Sequence, residues 1–118
     1  MNISNAQRIA WEIAEESGWH DEPRTVGDRI ALMHSELSEA LEDFRVGYRP
    51  DETYSEEILA EDGEILGYKP CGIGVELADC IIRIFDFAEE EGIHMDDLIL
   101  LKMNHNRTRP HRHGGKVL

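Results

Sequence analysis

The sequence predicts an all-α fold: a four-helix, bundle-like domain with an irregular loop or short hairpin between its second and third helices. Three observations lead there. Apolar residues recur at three- and four-residue steps through two long segments. Each helical segment is followed by a glycine or a polar break. The one strand-like signal is confined to residues 46–73. With 118 residues, 41% hydrophobic and 31% charged, the chain is sized for a single domain and has ordinary apolar content.

The first helix is expected from about Asn5 to Ser17, capped by Ser4 or Asn5 and stopped by Gly18. The second follows Pro23, begins near Thr25 and ends near Arg45, before Gly47. Its apolar row is Val26, Ile30, Met33, Leu37, Leu41 and Phe44. The third is expected from Gly74 to Glu91. Val75, Leu77, Ala78, Ile81, Ile82, Ile84, Phe85 and Ala88 cover more than half its circumference, which makes it central. The fourth is short, from Met95 to Met103, with Asp96 and Asp97 in its first turn, where the helix dipole favours acids. Asp62-Gly63, flanked by Ile58-Leu59 and Ile65-Leu66, is a hairpin-type turn signal. After Arg109-Pro110 the tail is expected to be extended.

Charge is unevenly distributed. The net charge is −13. Residues 1–101 set seven basic residues against all 25 acids, a local balance of −18, and the tail from Lys102 carries +5. Such an acidic body disfavours a polymeric nucleic acid as partner. No apolar run is long enough to span a bilayer, and no basic-then-apolar leader opens the chain, so no membrane partner is expected. Cys71 and Cys80 read as free thiols in a reducing compartment, and the expected location is cytoplasmic.

The chemistry is carried by polar positions on the two long helices. Glu36 and Glu39 are three apart, as are Glu76 and Asp79, so each pair shares a helix face. Side by side, the helices could bring four carboxylates together. Such groups repel and raise one another's pKa unless a cation lies between them, and oxygen-only donors suit Mg²⁺, Mn²⁺ or Ca²⁺. Taken alone, either pair also fits a solvated acidic face. Arg83 could pair along its own helix with Asp79 or Asp86. His34 reads as surface or interface. The Glu91–His94 ExxH straddles a glycine at a helix end, and His111 and His113 read as solvated tail. Tyr48, Tyr54, Tyr68 and Trp19 could stack on a base or anchor loops.

The run His34-Ser35-Glu36-Leu37-Ser38-Glu39-Ala40-Leu41-Glu42, then Gly74-Val75-Glu76-Leu77-Ala78-Asp79 and Ile82-Arg83-Ile84-Phe85-Asp86, resembles the MazG-like all-α nucleoside triphosphate pyrophosphohydrolases. The similarity resumes from Lys102 to Asn106, at Arg109-Pro110 and at His113-Gly114-Gly115-Lys116. It spans most of residues 31–116 outside the 46–68 loop. It departs at Cys71, where an acid is expected.

The resemblance implies a MazG-type fold and Mg²⁺-dependent hydrolysis, with Mn²⁺ as a substitute, of an NTP or dNTP to monophosphate and pyrophosphate. It implies metal ligands Glu36, Glu39, Glu76 and Asp79. Glu36 or Glu39 would orient the attacking water, and Lys102, Asn106, Arg109 and Lys116 would bind the substrate's phosphates. A homodimer or homotetramer is expected, because the third helix is too apolar for three neighbours to cover. Two other classes fit the same residues: a non-catalytic metal-dependent nucleotide-binding or regulatory module, and a structural helical oligomer with a solvated acidic face.

Overall fold

The computed structural model describes residues 1–118, apart from the side chain of His113. Its elements in order are α1 (Ile3–Glu16), α2 (Val26–Arg45), β1 (Tyr54–Leu59), β2 (Ile65–Cys71), α3 (Ile73–Glu90), α4 (Met95–Arg107) and the single turn α5 (Arg112–Gly115). The chain is therefore mostly helical, but it is not purely all-α. A two-stranded antiparallel hairpin stands where a loop or short hairpin was expected.

Local chemistry explains the helix boundaries. The Asn2 side chain, not Ser4 or Asn5, caps α1 by accepting from the Asn5 N–H at 2.8 Å. Thr25 and Asp28 form a reciprocal capping box at the start of α2. Asp96 and Asp97 lie in the first turn of α4. That helix runs one turn beyond the expected Met103. The tail after Pro110 is not simply extended, since α5 forms a turn at Arg112–Gly115. His113 lies in that turn, and its proposed tail chemistry falls outside the described side chains.

The hairpin turn spans Ala60–Gly63. The Gly63 N–H donates to the Ala60 carbonyl at 2.9 Å, and the Ala60 N–H donates to the Glu64 carbonyl at 2.8 Å. Gly63 takes φ +87°, which completes a three-residue loop with an adjacent irregularity at Ile58/Leu59. At the other end Cys71 pairs with Tyr54, and α3 begins after the single residue Gly72.

α3 packs against both α1 and α2, which fits its broad apolar coverage. α4 makes its main contact with α1, so the arrangement is a three-helix layer with α4 alongside rather than a closed four-helix bundle. The buried apolar residues are all small: Ala10, Ala40, Cys71, Cys80 and Ala88. Among the described residues no large side chain is fully buried. Both cysteines are free. Among the described residues no helix is long and apolar enough to cross a membrane.

Candidate metal centre

The α2–α3 contact brings three of the four expected carboxylates together. Glu36, Glu76 and Asp79 each offer an oxygen, and these oxygens lie within 4.8 Å of one another. Glu36 and Glu76 are buried and Asp79 is half-buried. Glu39 is exposed and stands beside Glu76, outside the set of three.

The hairpin base braces this site. The Tyr54 hydroxyl donates to Asp43 Oδ1 of α2 at 2.7 Å, and its ring stacks on Tyr48 with centroids 4.2 Å apart. Asp43 is one helical turn beyond Glu39. Across the ladder Cys71 leads through Gly72 into α3. Gly72 adopts φ +131°, and a Cβ there would sit 2.5 Å from the Glu52 carbonyl oxygen. Only glycine lets the chain turn into α3 this close to its neighbour. Glu76 then falls in the first turn of α3, where the helix dipole favours an acid.

The electrostatics are those of crowded acids. Burial first, then Glu39, Asp79 and Glu36, push the Glu76 carboxyl up to about 7. Burial and Glu36 raise Asp79, while Arg83 and Lys69 pull it back. Glu76 Oε2 is buried without a hydrogen-bond partner. An orphaned carboxylate oxygen among carboxylates fits a cation ligand, and the oxygen-only donor set suits Mg²⁺, Mn²⁺ or Ca²⁺.

Arg83 does not pair along α3. Its Nε donates across to Glu36 Oε1 on α2 at 2.7 Å. Beside this pair opens a cavity of about 300 Å³ between α1, α2 and α3. Glu36, Asp79 and Arg83 form the side of its lining nearest the acids. Trp19, Arg24 and Arg29 also line it, with apolar surface from residues such as Ile82 and Phe87. Its lining thus sets three guanidiniums, two of them already paired to acids, against the carboxylates of Glu36, Asp79 and Asp86, with an indole beside them.

Lys102, Asn106, Arg109 and Lys116 are not brought to this site within the chain. Lys102 and Asn106 are exposed on α4, Arg109 is half-buried beyond its end, and Lys116 is exposed. Among the described residues no side-chain hydrogen bond or ion pair joins them to the acids. His34 is exposed, as expected. Glu91 and His94 cap different helices and do not form a shared ExxH face.

Arg24, Arg29 and His20 were not singled out from the sequence. Arg29 precedes Glu36 by seven residues, two helical turns on one face, and that spacing was the available signal. Arg24 and His20 lie outside any periodic pattern. Comparison with known protein families, curated proteins and solved structures finds no match for the chain.

Proposed function

We propose that the protein is a Mg²⁺-dependent nucleotide pyrophosphohydrolase, cleaving an NTP or dNTP to the monophosphate and pyrophosphate. The observation that carries the reading is the convergence of Glu36, Glu76 and Asp79 beside a pocket lined by Arg24, Arg29, Arg83 and Trp19. It agrees with the MazG-like resemblance of the same residues.

Glu36, Glu76 and Asp79 would hold the cation, with Glu39 joining as a ligand or staying free beside them. A bound divalent cation supplies Lewis-acid polarisation of phosphoryl oxygens and a lowered pKa for its water. If it stays free, Glu39, exposed next to Glu76, would orient an attacking water and accept its proton. The pocket arginines offset phosphate charge that the acidic body would otherwise repel. Lys102, Asn106, Arg109 and Lys116 would act on the phosphates from a neighbouring subunit, since they are not gathered within one chain. That assigns the basic tail a role in a homodimer or homotetramer.

The test is pyrophosphate release from a panel of ribo- and deoxynucleoside triphosphates with Mg²⁺, with Mn²⁺ and with EDTA, alongside Glu76→Ala. Metal-dependent release that the variant loses supports the proposal. A folded protein that binds a triphosphate with Mg²⁺ but releases nothing is a binding module instead. Neither binding nor release, with no effect of Mg²⁺ on melting, leaves a structural oligomer.

A further inference from the structure

The turn that follows α1 is fastened to α3 by a single imidazole. His20 Nδ1 lies 2.5 Å from Glu15 Oε2, and its Nε2 lies 2.7 Å from Asp86 Oδ1. The ring is only 8% exposed. A carboxylate accepts but does not donate, so both ring nitrogens must carry hydrogen, and His20 is an imidazolium held between two acids. Asp86 turns its other oxygen to the Arg29 guanidinium at 3.8 Å. One carboxylate thus ties the turn, α3 and α2 together. Trp11 flanks the ring with centroids 5.3 Å apart, and its indole N–H donates to Glu90.

Trp19, next to His20 in the chain, lines the pocket beside the acidic cluster, and so do Asp86 and Arg29. We infer that His20 is a positioning residue, a charged clasp between Glu15 and Asp86 that sets Trp19 and Arg29 on the pocket wall. Its effect on ligand binding rests on the nucleotide reading above; its effect on Trp19 does not.

The clasp is sensitive to pH. Glu15 faces His20 from α1, Asp86 and Glu90 from α3, and Arg29 from α2 through Asp86. Burial alone would lower the imidazole pKa, but the bonds to Glu15 and Asp86, with the charges of Asp86 and Glu90, raise it above 6.5. A raised folded-state value means that the clasp is complete at and below 6.5 and is lost as pH rises through the folded value.

The experiment has two arms. In metal-free protein with both tryptophans intact, NMR follows the His20 imidazole and the Trp19 indole N–H with pH. The expected result is a His20 midpoint above 6.5 and a change in the Trp19 resonance at that same midpoint. Asp86→Asn should lower the midpoint, and His20→Gln should hold the Trp19 resonance at its high-pH position throughout. A His20 midpoint at or below 6.5, or a Trp19 resonance with no step, overturns the inference even if no variant folds. In the second arm, His20→Gln is assayed on the triphosphate panel with Mg²⁺. The expected result is a KM raised about tenfold with kcat little changed, the scale of one charge-assisted hydrogen bond. An unchanged KM on a cleaved triphosphate overturns the role in ligand binding. If the Trp19 step is present but no triphosphate binds or is cleaved, the nucleotide reading fails and the clasp stands.

Discussion

Arg83 Nε donates to Glu36 Oε1 at 2.7 Å, so the guanidinium of α3 neutralises a buried carboxylate of α2 that also belongs to the candidate metal centre. The pair closes the α2–α3 seam and tunes the site together. Arg83→Gln leaves Glu36 buried without its charged partner, among crowded acids. The expected cost in EDTA is about 1–3 kcal/mol. Because a cation would replace the lost positive charge, Mg²⁺ should raise the melting temperature of this variant more than that of the parent. Thermal melts with EDTA and with Mg²⁺ check both halves. A variant that melts like the parent in EDTA would mean that the pair contributes nothing.

Glu76→Gln separates the metal reading from the solvated-face reading. Removing a repelled, unpartnered carboxylate should leave metal-free stability unchanged or slightly higher. The same change should abolish the Mg²⁺-induced rise in melting temperature. Turnover should fall at least ~100-fold, since even outer partners of a metal are worth ~10–100-fold. Retained metal stabilisation in the variant would remove Glu76 from the ligand set.

The helix seam was legible in the sequence because its signals are local and periodic. The second helix was expected from Thr25 to Arg45 and spans Val26–Arg45; the third was expected from Gly74 to Glu91 and spans Ile73–Glu90. The three-residue spacing of Glu76 and Asp79 placed both on one face, and two of their oxygens do meet Glu36. The hairpin is less legible because both of its faces are largely exposed. Glu56, Glu57 and Ile58 show no alternation to mark a buried side. The sequence offers Arg83 acids on its own helix, yet its partner is 47 positions away. The His20–Asp86 bond spans 66 positions, and periodicity carries no information about such pairings.

The pH dependence follows from the raised carboxyl of Glu76. Its ordinary value is 4.5 and its folded value is about 7. The folded state therefore binds more protons than the unfolded state between those two values. The Glu76 contribution to metal-free stability should fall as pH rises across that window and level off above about 7. Metal binding needs the ionised form, so Mg²⁺ affinity should weaken as pH falls below about 7. His20 contributes a loss of the same sign above 6.5, which Glu76→Gln leaves in place. Calorimetric titration of Mg²⁺ at several pH values, with and without that substitution, separates the two groups. A pH-independent Mg²⁺ affinity would contradict the assignment of Glu76 as a ligand.

Gly72 links the hairpin to the site. At φ +131°, with a Cβ position 2.5 Å from the Glu52 carbonyl, alanine is excluded on two counts. Gly72→Ala should cost at least ~2 kcal/mol, from an unfavourable backbone region plus a backbone clash. Because the residue opens α3, relief by local shift would move Glu76 as well. Denaturant melts measure the first effect, and Mg²⁺-induced stabilisation measures the second. Gly47→Ala is the control, because its φ of +105° carries the backbone strain with no atom within 4 Å of the added Cβ. Equal losses in the two variants would show that contact with Glu52 is unimportant.

Among the described residues only alanines and cysteines form the buried apolar core, and large apolar side chains stay exposed. α2 leaves Leu37, Leu41 and Phe44 exposed at 45%, 48% and 63%, a row at four- and three-residue steps. α3 leaves Leu77, Ile81 and Ile82 exposed at 45%, 49% and 50%. Covering a large apolar side chain stabilises by about 1.5–3 kcal/mol, and rows of this kind mark association surfaces. The expected species is therefore a homodimer or larger, with these helices at the contact and a melting temperature that rises with protein concentration. Light scattering behind size exclusion, together with melts over a concentration series, measures both. Leu41→Lys with Phe44→Lys should shift the mass to that of one chain and lower the melting temperature. It should also reduce turnover if Lys102, Arg109 and Lys116 act across the contact. A parent protein that stays monomeric at micromolar concentration would remove both the interface and the role of the tail in trans.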